Sequence, residues 1–411
     1  MSRTTHTPPT TDRRTRIVLA VLFTGAFVMG CAEMLVVGLL DLIAVDLEVS
    51  VPAAGALVTA NAVGQAFGGP LLTLLATRFD RRRVLLATLI VFVLVYLLPV
   101  IGADYSVFFI SRVIVGAVQG LFIAGAFVTA TSIVPPERSG RAMAIVVSGF
   151  ATSSAIGLPV GTLLGQSAGW RWSFAAVVAV GVVVLAVAAV VLPAVPSARD
   201  DRATGQVRAA LAPRVLAVLG LTVLIFTAIQ SGLTYLVPFL NQVTGVSGPL
   251  VTAFLLAYGA ATAIGSFGGG RFADWNAARS LVVGSVGITV ALLALHLLGE
   301  NGLLAWLAIF ALGLLGMGMA PSMQHRVTTL AGAGAPLAAS LPASAANAGI
   351  AIGSLAGGAA IGYAGVPAAI VTGAVVAVLA VAAAWLTSAL RPAGVPAARP
   401  TNAAAEPAVT R

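Results

Sequence analysis

The sequence predicts an all-α membrane protein in which twelve transmembrane helices form two six-helix pseudo-repeats around a central cavity. The first observation is composition: of 411 residues, 59% are hydrophobic and 9% are charged, with a mean hydropathy of +1.04, and a water-soluble surface needs more charge than this. The second is that apolar runs of about 20 residues, enough to cross a bilayer, recur along the chain. The third is that the two halves of the chain align with each other.

The apolar runs divide the chain into two sets of six on either side of a polar stretch. They lie near 16–40, 52–77, 84–102, 106–134, 142–166, 172–195, 214–240, 248–270, 280–298, 302–324, 336–362 and 366–389. The first run is too long for a signal-peptide core and lacks a clear cleavage site, so we expect a retained helix. The domains predicted are an N-terminal six-helix bundle (1–195), a cytoplasmic linker (196–213), a C-terminal six-helix bundle (214–390) and a disordered cytoplasmic tail (391–411).

The basic residues indicate how the chain lies in the membrane. All 22 are arginines. Arg171 falls on one face of the predicted topology and Arg112 falls inside a span, whereas all the others lie at the opposite face. Because arginine-rich loops stay in the cytoplasm, we expect a multi-pass protein of the inner (cytoplasmic) membrane with both termini cytoplasmic.

The missing residue types exclude several classes of function. Without lysine there is no G-x-x-x-x-G-K-[ST] phosphate loop and no Schiff base, so the chain neither hydrolyses ATP by that route nor carries pyridoxal phosphate, and its energy must come from elsewhere. We expect neither an enzyme nor a cofactor. The net charge of +9 does not predict nucleic-acid binding, because the arginines are not clustered beside stacking aromatics. The three histidines lack metal-ligand spacing, so no metal site is predicted, and Cys31 has no partner for a disulfide.

The internal alignment predicts a duplicated six-helix unit. Several features in different spans share one offset of 196 or 197 residues. The aligned pairs are Glu33 and Gln230, Thr77 and Asp274, Gly116 and Gly313, Gly157 and Gly353, and Gly161 and Gly357. Transporters with such repeats often hold their substrate at mid-membrane, between two halves that rock against each other.

Short motifs in several spans identify a family. They are Gly30-Cys-Ala-Glu33, Gly68-Gly-Pro70, Arg112 with Gly116 and Gln119-Gly120, Gly157-Leu-Pro-Val-Gly-Thr162, and Ser344-Ala-Ala-Asn347-Ala-Gly349. With them the chain resembles the major facilitator superfamily, specifically its twelve-span drug:proton antiporters and their chloramphenicol-efflux and arabinose-efflux-like relatives. The resemblance covers nearly the whole chain.

The resemblance also implies residues that take part in conformational change. The family has a loop pattern G-x-x-x-D-R-x-G-R-R, and each half of this chain has one copy of that loop. In the first copy, which is atypical, Thr73 stands at the first glycine and Thr77 stands at the aspartate. The second copy keeps the aspartate as Asp274. Glycines spaced four apart in spans 5 and 11 predict close helix contacts that slide or rock, and Pro159 is expected to bend span 5. The residues assigned to this role are Asp80, Arg81, Gly157, Pro159, Gly161, Asp274 and Arg279. Asp41 stands where relatives commonly have proline, and its role is left open.

Glu33 and Arg112 are the candidates for proton coupling. Glu33 is the only acidic residue well inside an apolar run, where a carboxylate costs several kcal/mol unless it is protonated or paired. Counting from the span ends puts Glu33 and Arg112 at depths of roughly 12 and 9 Å, so an ion pair is feasible. We predict that Glu33 carries the proton and that Arg112 sets its affinity; the alternative is a fixed salt bridge between spans 1 and 4.

Polar side chains inside spans predict the substrate cavity. Lone amides in membranes also serve as simple interhelical hydrogen bonds, and this alternative stays open. The predicted cavity residues are Asn61, Gln65, Gln119, Gln230, Thr234 and Asn347.

The resulting functional hypothesis is proton-coupled efflux of small hydrophobic or amphiphilic compounds by alternating access, with an antibiotic such as chloramphenicol as the best single guess. The expected partners are a small-molecule substrate, protons and the lipid bilayer, and the expected state is a monomer. One alternative is a sugar or metabolite exporter of the same fold, although all five tryptophans lie near span ends or in loops, where they offer no central sugar platform. The other is a membrane sensor without transport activity.

Overall fold

The computed structural model describes residues 10–102, 104–193 and 209–391, and these are almost wholly helical. The predicted linker over 196–213 and the predicted tail over 391–411 lie outside the described residues, apart from 209–213 and Arg391. We number the spans 1 to 12 in chain order.

Six spans form the first half. They are span 1 (Thr10–Gly38 with Leu40–Asp46), span 2 (Val51–Val63, Gly64–Gly68, Gly69–Leu75 and Ala76–Arg78), span 3 (Arg81–Leu97), span 4 (Tyr105–Ser132), span 5 (Ser139–Thr152, Ser153–Gly157 and Leu158–Ala168) and span 6 (Trp170–Val191). Two of these segments, Gly64–Gly68 and Ser153–Gly157, are π-helical turns.

Six more spans form the second half. They are span 7 (Pro213–Leu233, Leu236–Phe239 and the π-helical Leu240–Thr244), spans 8 and 9 (together Pro249–Leu298), span 10 (Gly302–Gly318 and Ala320–Ala331), span 11 (Leu341–Ala364) and span 12 (Pro367–Ser388). Short 3₁₀ and α turns at Pro136–Arg138, Gly332–Gly334 and Ala335–Ala338 lie between spans.

The span count follows from these helices. Nine helices of the described chain are long and apolar enough to cross a membrane, and the bent pair that contains span 2 makes ten. The 50-residue helix Pro249–Leu298 is interrupted by extended backbone at Asn276 (φ −162°, ψ 91°), so it holds two spans. Arg81–Leu97, with 17 residues, is about 25 Å long and covers most of a bilayer core of ~30 Å. The described chain therefore has twelve spans.

Equivalent helix contacts recur in the two halves. At each of these contacts a glycine lies so close to a neighbouring helix that an added Cβ would clash. The repeated contacts are Gly116–Asn61 and Gly313–Tyr258, at an offset of 197, and Gly157–Cys31 and Gly353–Thr227, at an offset of 196. The predicted pseudo-repeat is therefore visible in the packing itself.

The two halves meet along spans 5 and 8, where Gly259 packs on the Ser154 backbone, and along spans 2 and 11, which run antiparallel. Ser354 Oγ donates to the Gly55 carbonyl (2.9 Å), and Thr59 Oγ1 donates to the Ala351 carbonyl (3.4 Å). These contacts lie near the membrane face whose loops contain Arg171, which we call the arginine-poor end; the opposite face is the arginine-rich end. The two halves are therefore joined at the arginine-poor end.

Toward mid-membrane the boundary between the halves changes character. Glu33, Gln65 and Asn347 lie there and stay partly exposed. Gly55, Ala351 and Ser354 of the contact nearer the arginine-poor end are instead buried. The boundary is therefore less tightly packed at this level.

Candidate functional site

Glu33 lies on span 1 at the boundary between the halves. Its Oε2 accepts a hydrogen bond from Gln65 Nε2 of span 2 (3.2 Å). Gln65 is about 21 Å along the helix axis from Val51, so the carboxylate lies deeper than the roughly 12 Å predicted. The difference arises because span 1 does not end near residue 40 but continues through Leu40–Asp46.

Gln65 connects Glu33 to the other half. Asn347 of span 11 donates through Nδ2 to Gln65 Oε1 (3.0 Å) and also to the carbonyl of Ala343 in its own helix (3.0 Å). Asn347 Oδ1 is buried and has no hydrogen-bond partner. A chain of hydrogen bonds thus runs from span 11 through span 2 to the carboxylate on span 1.

Asn61 and Gln119 do not face this boundary. Asn61 Nδ2 donates to Gln119 Oε1 (2.9 Å), and Gln119 Nε2 donates to the Met29 carbonyl (2.7 Å). The two residues are 1% and 0% exposed, so in this conformation they line no cavity, contrary to the prediction. They instead make interhelical hydrogen bonds, which was the alternative to a cavity-lining role.

The π-turn Gly64–Gly68 explains why Asn61 and Gln65 point different ways. Residues four apart share a face in a regular α-helix, which was the basis for grouping them. A π-turn holds more residues and so rotates less per residue, and such turns frequently occur at functional sites. Gln65 therefore reaches the boundary while Asn61 stays inside the first half.

Gln230 and Thr234 are also buried away from the boundary. Gln230 Nε2 donates to Thr234 Oγ1 one turn later in span 7 (3.0 Å). Their exposures are 4% and 0%, and Gly353 of span 11 packs closely against Gln230. Of the six predicted cavity residues, the structure brings Gln65 and Asn347 to Glu33 and leaves the other four in the helix packing.

Arg112 is 1% exposed and binds backbone rather than the Glu33 carboxylate. Its Nη1 donates to the Ala32 carbonyl (2.6 Å), Nη2 to the Glu33 carbonyl (3.3 Å) and Nε to the Leu57 carbonyl (3.2 Å). The ion pair that the depths made feasible is therefore absent from this conformation of the described residues, and three of the five guanidinium N–H groups donate to main-chain acceptors instead. Its charge still acts on the carboxylate electrostatically.

Several tyrosines near the site escaped the sequence analysis. Tyr96 donates to the Ala32 carbonyl (3.4 Å), and its ring stacks on Phe174. Tyr258 of span 8 interacts electrostatically with Glu33 from the second half. Tyr235 donates to the Ser354 carbonyl (2.9 Å) beside the contact of spans 2 and 11. The sequence did contain a signal for these tyrosines, because a phenol hydroxyl inside an apolar run needs a hydrogen-bond partner when it is buried.

Two aspartates mark the arginine-poor end. Asp41 accepts a hydrogen bond from Asn241 Nδ2 (2.6 Å), which joins the two halves. Asp46 forms an ion pair with Arg171 and also accepts from the Trp170 indole (3.2 Å). Asp41, whose role the sequence left open, is thus a contact between the halves.

The residues predicted to act in conformational change on the arginine-rich side have local partners. Asp80 caps span 3 by accepting from the Arg83 amide (3.2 Å), and Arg81 is half-buried. The Arg279 guanidinium lies over the Trp275 ring, 5.5 Å from its centroid. Asp274 is exposed, and the described residues include no ion pair between it and Arg279.

The glycine series of span 5 packs inside the first half. Gly157 meets Cys31 and Phe27, and Gly161 meets Leu35, all on span 1. Pro159 is buried in the first turn of Leu158–Ala168, directly after a π-turn. In span 11 the equivalent glycines pack on span 7. In both spans the neighbour of the glycine face is a helix of the same half.

Comparisons with known proteins agree with this fold. The family model of the Major Facilitator Superfamily matches residues 22–340. The inner membrane transport protein YdhP of Escherichia coli K12 is 33% identical over 353 residues, covering 85% of this chain and 91% of that protein. A chloramphenicol resistance protein of Streptomyces lividans is 32% identical over 353 residues, covering 84% of this chain and 89% of that protein.

Solved structures share the architecture. A bacterial homolog of the human lysosomal transporter Spinster, in an inward-facing and unoccupied conformation, superposes with a TM-score of 0.74 at 17% identity, covering 93% of this chain and 98% of that one. The human organic anion transporter MFSD10 (TETRAN) gives a TM-score of 0.62 at 18% identity, covering 92% and 100%. The resemblance drawn from the motifs is confirmed: this chain belongs to the major facilitator superfamily and is a multi-pass membrane transporter.

Proposed function

We propose that this transporter exports small hydrophobic or amphiphilic compounds, such as chloramphenicol, in exchange for protons. The observation that carries the proposal is the position of Glu33: it is a carboxylate at mid-membrane, partly exposed, on the boundary between the halves. A carboxylate is costly there, and alternating exposure to the two sides of the membrane would let it take up and release a proton.

The sidedness of the protein supports export. Arginine-rich loops remain in the cytoplasm, so the arginine-rich end faces inward and both termini are cytoplasmic in the inner membrane. Because the halves are joined by hydrogen bonds at the arginine-poor end, the conformation described here receives substrate from the cytoplasm. Both sides of the described boundary come from one chain, and we propose that the protein acts as a monomer.

The proton gradient is sufficient for the task. One proton entering at 100 mV supplies ~2.3 kcal/mol, which corresponds to roughly a fifty-fold gradient of a neutral substrate. The relative named as a chloramphenicol resistance protein makes this drug the first substrate to try.

The test uses inverted membrane vesicles and follows pH-gradient-driven accumulation of chloramphenicol. Glu33→Gln mimics the protonated state, so it should lose uphill accumulation and keep exchange of labelled for unlabelled drug. The matched control is Glu300→Gln, which removes an exposed carboxylate at the arginine-poor end and should leave accumulation unchanged. Wild-type accumulation by Glu33→Gln would move the proton carrier elsewhere, and Asp41 is the next residue to examine.

The same vesicles distinguish the two alternatives. A sugar or metabolite exporter would release protons on addition of arabinose and not on addition of chloramphenicol. A sensor without transport activity would release none with either compound.

A further inference from the structure

We infer that Gln65 and Asn347 hold the unloaded transporter closed at the boundary between its halves, and that they release it only when Glu33 is protonated or substrate displaces Gln65. The inference rests on the proposed role of Glu33 as the proton carrier. It makes Gln65 a positioning residue, which acts through Glu33.

The hydrogen-bond chain has a direction when Glu33 is charged. The Asn347 amide N–H donates to the Gln65 carbonyl oxygen, and the Gln65 N–H donates to the carboxylate. A carboxylate is an acceptor only, and a hydrogen bond to a charged acceptor is roughly twice as strong as a neutral one. Bonds in such a chain also polarise one another. The charged state therefore joins spans 1, 2 and 11 tightly.

Protonation of Glu33 reverses the direction of the chain. A protonated carboxyl has an O–H donor, which can donate to the Gln65 carbonyl oxygen once the amide turns over. The Gln65 N–H then faces span 11, where the Asn347 amide must also turn over so that its partnerless Oδ1 accepts it, and this breaks the bond from Asn347 Nδ2 to the Ala343 carbonyl. The reversed chain contains no charged acceptor and is weaker. The buried Asn347 oxygen, which is otherwise costly, thus has a partner in the second state.

Other groups near Glu33 do not take this role. Arg112 acts on it electrostatically from span 4, but three of its five N–H groups donate to backbone carbonyls and none donates to the carboxylate. Tyr96 of span 3 donates to a main-chain carbonyl. Tyr258 of span 8 faces Glu33 from the second half, and Cys31 is buried against Gly157. Of the groups named here, the Gln65 amide is bonded to both the carboxylate and the other half.

Two further hydrogen bonds between spans 2 and 11 involve no group that changes charge. The hydroxyls of Thr59 and Ser354 donate to main-chain carbonyls, so their strength does not depend on protonation. The other carboxylate between the halves, Asp41, lies near the arginine-poor end with Asn241 and enters the test as a rival.

An exchanger must prevent its empty, deprotonated form from crossing, because that movement would complete a proton leak without substrate. The hydrogen-bond chain through Gln65 is strong only in the empty, deprotonated form, so it prevents that form from crossing. The hydrogen-bond chain is broken when substrate takes the place of Gln65 at Glu33 or when a proton binds Glu33. Breaking the chain by mutation should therefore uncouple proton movement from substrate.

The test measures proton leak in proteoliposomes without any substrate, using an interior pH dye and a potassium diffusion potential. Gln65→Leu should leak about tenfold faster than wild type, and Asn347→Leu should do the same, which guards against misfolding of either variant. The matched control is Thr59→Val, which removes a longer hydrogen bond between the same two spans (3.4 Å), so its leak should rise far less than that of either leucine variant.

Double variants separate this inference from the proposed function. Glu33→Gln with Gln65→Leu should not leak, because the carrier is absent. If Gln65→Leu and Asn347→Leu are as tight as wild type while Glu33→Gln abolishes coupling, the inference is wrong and the proposed function stands. If the leak persists in the double variant, the proton travels on another group, with Asp41 the next to replace, and both fail.

Discussion

Removing the Ser354 hydroxyl should weaken closure at the arginine-poor end. Ser354 is fully buried, and its Oγ donates across the boundary to Gly55 (2.9 Å), while its carbonyl separately accepts from Tyr235. Ser354→Ala deletes the first bond and keeps the second. Interhelical hydrogen bonds in membranes contribute about 0.6 kcal/mol on average and about 1.7 at most, so the ratio of open to closed molecules should rise about 3- to 18-fold.

Spin labels can measure this ratio. We would label cysteines at the exposed positions Ser106 and Glu300, one on each half at the arginine-poor end, in a Cys31→Ala background, and record distance distributions by double electron–electron resonance. The control is Ser285→Ala, a buried serine bonded within its own helix (2.7 Å). An unchanged open fraction in Ser354→Ala, or an equal rise in Ser285→Ala, would refute the reasoning.

Three further predictions follow from contacts described above. Gly157→Leu should abolish export because the new side chain collides with span 1, whereas Gly140→Leu meets open space and should export normally; equal export by both would contradict the packing argument. Arg112→Lys keeps the charge, but one ammonium cannot bind three backbone carbonyls as the planar guanidinium does. The thermal unfolding midpoint in detergent should therefore fall and export should stop. An unshifted midpoint would show that the hydrogen bonds of Arg112 to the backbone do not stabilise the fold. Asp41→Asn weakens the charge-assisted bond to Asn241 and should raise the open fraction several-fold while pH-gradient-driven export persists; complete loss of that export would instead make Asp41 the carrier.

The fold was predictable because lipid imposes simple demands on a sequence. A bilayer requires long apolar helices and excludes exposed polar backbone, so span number could be read from hydropathy alone. The ends of the spans were less certain. Span 1 continues to Asp46 past Gly38, and the polar Asp41 in that extension hides it from an apolar-run count.

The site was only partly predictable, for a geometric reason. Glu33 stood out because an isolated carboxylate in an apolar run is costly. Its partners depended on which way each amide points, and that was inferred from a uniform helical period. The π-turn at Gly64–Gly68 breaks that period just before Pro70, whose ring and missing N–H disturb the preceding turn, and a uniform period cannot represent that break. The commitment of Arg112 to backbone carbonyls was equally invisible, because main-chain acceptors leave no trace in a sequence.

The repeated glycine contacts have a consequence for how this transporter can diversify. Each half keeps the same helix-on-helix arrangement, yet Glu33 in one half is matched by Gln230 in the other, an exchange that changes charge and hardly changes size. Duplication therefore supplied two equivalent frameworks, one of which was free to vary its polar positions without disturbing the shared mechanics. Polar side chains can then differ between the halves, while the glycine faces that set how the helices fit together stay constant.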